Sequence, residues 1–143
     1  MRFVDSHTHL ADPAFDGDRD VVIGRARDAG AAALVCVGES IERANAARAI
    51  AAAHPGFIWF TAGVHPHDAA GFDPARDIPA LTELLQAGAV AVGECGLDSH
   101  YDHSPAPLQR RAFAAQLALA REFGKAVVVH TREAVDEIGR AHV

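Results

Sequence analysis

The sequence is poor in sulfur and in aromatic rings. Its two cysteines, Cys36 and Cys95, stand in apolar segments without CxxC spacing, which argues against a disulfide framework and a thiolate metal site. Both read as small core residues. No apolar run approaches the roughly 20 residues that span a bilayer, so no membrane segment is expected. The opening MRFVDSHTH carries charge where a signal peptide would be apolar, and a cytoplasmic location is expected. There is no GxGxxG or P-loop glycine pattern, the mark of a nucleotide-binding open sheet. Basic residues are also in deficit: 13 Lys and Arg face 19 Asp and Glu, a net charge of −6. A surface that grips nucleic acid by bulk electrostatics is therefore not expected, and a phosphate-ester substrate would need bound cations to supply the local positive field.

What the chain does contain is a repeating alternation. Half of its 143 residues are hydrophobic, enough for one domain with a real core. Strands are expected at the start through His7, over AAALVCVG, over Phe57–Gly63, over AVAVGE ending at Glu94, and over KAVVVH ending at His130. Helical spacing between them covers about 18–29, Ser40 to Ala53, about 75–87 and Ala106 to Phe123. A further helix opens after His130, in ThrArgGluAla. Strand and helix alternate about every 30 residues, and no strand shows in–out alternation, so the fold is expected to be parallel α/β. A full TIM-type (β/α) barrel takes about 250 residues, so the expectation is a partial barrel of about five of eight βα units.

Nine histidines are many for this length, and they concentrate at strand ends. His7 and His9 lie one residue apart on an extended strand, so both imidazoles project to one side, where they suit a divalent cation. Asp5, two residues earlier on the same face, is expected to accept the other ring N–H of a ligating histidine. Glu94 follows a wholly apolar strand, where an unpaired carboxylate is costly and a metal offsets that cost. His130 closes the next strand in the same way. Together these side chains face the mouth where barrel active sites lie.

The segments VDSHTHL, GVHPHD, VGECGLD, YDHSP with the following QRRAF and QLALA, and VVVHTREA resemble the successive motifs of TatD-type deoxyribonucleases, from Arg2 to about Asp136. The resemblance implies hydrolysis of phosphodiesters at DNA 3′ ends by two divalent ions, magnesium, manganese or zinc, about 3.5 to 4 Å apart. It assigns His7 and His9 to one ion, Glu94 to both as the bridging and catalytic carboxylate, and His130 to the second. His65, His67 and Arg132 are expected to contact phosphate, and Tyr101 to stack on a base. The family also uses a histidine from strand six and an aspartate near strand eight, neither of which is in this sequence. An inactive fragment is the corresponding expectation, with residues 1–136 as the N-terminal part of the barrel. The heptapeptide EIGRAHV reads like translated sequencing-adapter DNA, so residues 137–143, His142 included, are expected to be a non-native tail. Alternative readings are a related metal-dependent amidohydrolase or phosphoesterase, or a non-catalytic metal-binding module that self-associates. A lysine in the place of Glu94 would have favoured the amidohydrolase.

Overall fold

A computed structural model describes residues 1–139 of the chain; of the expected tail, 140–143, His142 among them, lie outside the described residues. Five strands, β1 (Phe3–Thr8), β2 (Ala31–Cys36), β3 (Ile58–Ala62), β4 (Ala91–Asp98) and β5 (Ala126–Arg132), form one sheet in chain order, every neighbouring pair parallel. Helices α1 (Arg19–Asp28), α2 (Ile41–Ala53), α3 (Pro74–Gln86) and α4 (Ala106–Phe123) alternate with them, and a single turn, α5 (Val135–Ile138), follows β5. This is the expected α/β partial barrel.

The local signals explain most boundaries. Ser40 caps α2, its hydroxyl accepting from Arg43 N–H. Gly124 ends α4 in the left-handed conformation that a C-cap requires, at φ 59°. The core gathers Leu34, Phe60, Leu81, Leu84, Leu85 and Leu119 between sheet and helices. A smaller cluster of Cys95, Leu97, Phe113 and Ala134 lies beyond it. All eight residues of β4 are buried, whereas β1, at a sheet edge, is largely exposed, with Val4 61% accessible.

Two strands outrun their expected ends. β4 continues four residues past Glu94 and β5 two past His130, because Gly96, Leu97 and Asp98 pair with His130, Thr131 and Arg132. Gly96 makes that pairing possible. At φ 150°, a Cβ there would run into the His130 carbonyl oxygen.

Among the described residues, no helix is long and apolar enough to cross a membrane.

Candidate metal centre

The C-terminal strand ends are tied to one another before any catalytic side chain is considered. Thr61 Oγ1 donates to Gly93 O at 2.5 Å and accepts Gly38 N–H at 3.1 Å, and Glu94 N–H donates to Gly38 O at 3.0 Å. Two buried glutamines on one face of α4 extend this scaffold. Gln116 accepts Val64 N–H at 2.8 Å and donates to Val64 O at 3.1 Å, and so pins the residue before His65. Gln109 does the same for Asp98, at 2.8 and 3.0 Å. Each amide stands in for a missing strand partner, since buried backbone groups need one.

On this frame, His7 Nε2 lies 3.2 Å from His9 Nε2 and 3.3 Å from Glu94 Oε2. Strands β1 and β4 are three spacings apart in the sheet, about 14 Å if it were flat. The contact therefore requires the sheet to curl, as a barrel wall does. One ligand atom from each of His7, His9 and Glu94 falls within 4.8 Å of the others.

The expected partner of a ligating ring, Asp5, is elsewhere. Its Oδ1 accepts the main-chain N–H of His7 at 3.2 Å, and the β1 register shifts between Asp5 and Thr8, which breaks the simple alternation of faces. Glu39 stands at the ring instead, with Oε2 3.3 Å from His9 Nδ1. A proton held on Nδ1 by that carboxylate leaves the Nε2 lone pair facing His7 and Glu94, the tautomer a ligand needs.

The other oxygen of Glu94 faces a second histidine group. Oε1 is 3.2 Å from His130 Nδ1, while Asp98 Oδ2 lies 3.0 Å from His130 Nε2 and 2.7 Å from His67 Nε2. Asp98 thus accepts the Nε2 proton of both rings. His130 Nδ1 is left as a lone pair that faces both Glu94 Oε1 and the Nε2 of His65, a position from which it could ligate a cation beside Glu94. Both donor sets consist of imidazole nitrogen and carboxylate oxygen, donors that a divalent cation takes.

The nitrogens of His65, His67 and His130 also fall within 4.8 Å of one another. His65 differs from the other two in its proton. Its Nδ1 accepts His67 N–H at 3.2 Å, so the neutral ring carries hydrogen on Nε2, 3.1 Å from His130 Nδ1. Burial, then the neighbouring His130, pushes its pKa down to about 4, which keeps the ring neutral. A neutral Nε2–H suits donation to an oxyanion better than metal ligation.

Asp98 was absent from the sequence-derived site, where it reads as a loop residue. Burial works to raise its carboxyl, but hydrogen bonds from Tyr101 N–H, the His67 and His130 rings and His100 N–H outweigh that and hold it well below the usual range. Cys95 takes no part in the centre. It is fully buried against Leu97 and Phe113, and burial pushes its thiol up to about 12.

Between these groups opens a cleft of about 470 Å³, lined by His9, Glu39, His65, His67, Glu94, Asp98, His130 and Arg132 among others. Tyr101 is exposed beside it, in edge contact with His67, and the Arg132 guanidinium lies 4.7 Å from the centre of its ring. The structure thus brings His7, His9, Glu94, His130, His65, His67 and Arg132 to one mouth. Glu39 and Asp98 join them.

Known proteins share this arrangement of elements. The structure of the Escherichia coli K12 TatD homologue YJJV superposes with a TM-score of 0.86 at 28% identity, over 97% of this chain and 54% of that one. A TatD family hydrolase from Entamoeba histolytica has the same fold, with a TM-score of 0.86 at 21% identity over 98% of this chain and 53% of that one. By sequence, the protein named 3′-5′ ssDNA/RNA exonuclease TatD of Edwardsiella piscicida is 43% identical over 133 residues, 92% of this chain and 50% of its own length. Its namesake in Musicola paradisiaca is 40% identical over 130 residues, 91% of this chain and 49% of its own. The chain spans about half the length of these curated relatives. The family model described as TatD related DNase matches residues 4–141, and with it the chain that carries this two-sided histidine and glutamate rim belongs to the TatD family.

Proposed function

We propose that this chain carries the metal-binding part of a two-metal phosphodiesterase that acts at the 3′ ends of single-stranded nucleic acid. The observation that carries the reading is the orientation of Glu94, with Oε2 toward His7 and Oε1 toward His130. A carboxylate presented to two histidine groups is the geometry of a bridging ligand. Support for the substrate comes from the relatives, which are named as 3′-5′ exonucleases of single-stranded DNA and RNA.

In this reading His7, His9 and Glu94 would hold the first ion, and His130 with Glu94 would hold the second. Divalent ions held there would supply water activation and charge neutralisation at a phosphate. Glu39 orients His9, and Asp98 orients His130 and His67. His65 donates its Nε2–H to a phosphate oxygen, and the Arg132 guanidinium, without an ion pair among the described residues, gives a second contact of the same kind.

Calorimetric titration of the full 143-residue chain with manganese or zinc, beside a nuclease assay on 3′-labelled single-stranded DNA, tests the proposal. The native chain should bind two ions, and Glu94→Ala should bind neither tightly. Unchanged ion binding by Glu94→Ala sinks the bridging role. Two tightly bound ions without turnover fit the inactive fragment expected from the sequence, and turnover would overturn that expectation.

A further inference from the structure

The Arg132 guanidinium reaches into a cleft whose lining includes Glu39, Asp68, Glu94 and Asp98, yet among the described residues it forms no ion pair with any carboxylate. Its recorded side-chain partner is the ring of Tyr101, 4.7 Å from centroid to the guanidinium carbon. A cation held by a carboxylate spends its N–H donors there. One held against an aromatic ring keeps all five for another ligand.

Tyr101 is itself fixed. Its N–H donates to Asp98 Oδ1 at 2.9 Å, and Asp98 is the residue that orients His67 and His130. Its ring stacks on His103, with centroids 5.4 Å apart and planes 29° from parallel, and meets His67 and His100 at near right angles. The flat surface that a nucleobase would need therefore already carries protein partners. The ring is built into the site rather than offered to it.

From this arrangement we infer that Tyr101 is a positioning residue, whose ring holds the Arg132 guanidinium over the cleft with its donors free for a phosphodiester of the substrate backbone. This rests on the phosphodiesterase reading for the ligand class and replaces the expected base stacking by Tyr101. Asp98 then aligns two things with one carboxylate: the imidazoles at the ion site and, through Tyr101, the phosphate clamp.

The binding test uses the full chain with manganese present, which supplies the positive field that the acidic cleft needs, and two probes followed by fluorescence anisotropy. One is a short phosphorothioate oligothymidylate and the other its abasic counterpart. Arg132→Gln should weaken both about tenfold or more, as expected when a charge-assisted contact is lost. Tyr101→Leu should weaken both about threefold, the scale of a partly exposed cation–π contact, and Tyr101→Phe should restore native binding. In the Arg132→Gln background, Tyr101→Leu should have no further effect. Because Tyr101 is the chain's single tyrosine, its ring signals are unambiguous by NMR. The Arg132 δ protons should be shifted upfield in the native chain and in Tyr101→Phe, and not in Tyr101→Leu.

The inference is overturned if Tyr101→Leu weakens only the base-bearing probe, if it still acts without Arg132, if the native Arg132 signals are unshifted, or if the native chain binds neither probe. The NMR signals are read in chelator, so loss of the two-ion reading in calorimetry would leave them intact and the two failures are separable.

Discussion

Glu39 Oε2 lies 3.3 Å from Nδ1 of His9, on the side of the ring away from His7 and Glu94. The contact fixes which nitrogen of His9 carries the proton. Glu39→Ala should weaken ion binding at the His7 and His9 pair by about tenfold or more, the usual effect of removing a carboxylate behind a ligating histidine. Calorimetry would show it, and an unchanged affinity would remove Glu39 from the site.

Gln116 substitutes for a strand edge at Val64. Gln116→Leu keeps the volume but leaves a buried N–H and C=O unpaired, at a cost of about 1–3 kcal/mol for each group. The urea midpoint should fall accordingly. If it does not, another partner satisfies Val64 and the glutamine is dispensable.

Gly96 answers for the join between β4 and β5. Gly96→Ala puts a methyl against the His130 carbonyl in a backbone region that side chains avoid, and should cost about 2 kcal/mol or more. Thermal unfolding measures it, with Gly17→Ala, whose Cβ would meet open space, as the control.

Asp77 makes stability depend on pH through contacts that involve no histidine. A hydrogen bond from Arg76, opposed by burial and helped by Asp73 N–H, lowers its carboxyl below the usual value. A depressed acid stabilises the fold at pH above its unfolded value, about 3.9, and that contribution is lost as pH falls through the folded value. Asp77→Asn should therefore be less stable than the native chain at neutral pH and should lose less on acidification. Parallel stability curves from pH 7 to acid would contradict this.

The order and type of the major elements were legible because apolar runs, capping residues and terminal glycines are local signals. Strand ends were less so. Glu94 reads as the natural stop of β4, since acids rarely follow apolar residues inside a strand, and what carries the strand on to Asp98 is pairing with β5, some 35 positions away. Asp98 was hidden for the same reason: an acid after Gly and Leu reads as a turn. His7, His9, Glu94 and His130 stand out as polar residues at the ends of apolar strands. Glu39, Gln109 and Gln116 carry no such mark, because their partners are main-chain atoms or a ring brought close only by the fold.

The curl that draws His7 to Glu94 places donors from an edge strand and from the strand three places inward around one point, with His130 on the opposite edge reached through the same carboxylate. Under the proposed reading, ions seated there would act on the sheet like a drawstring, tightening an arc whose ends no hydrogen-bond ladder joins among the described residues. Loading the centre would then also be a mechanical event, with the stiffness of the wall set at its rim.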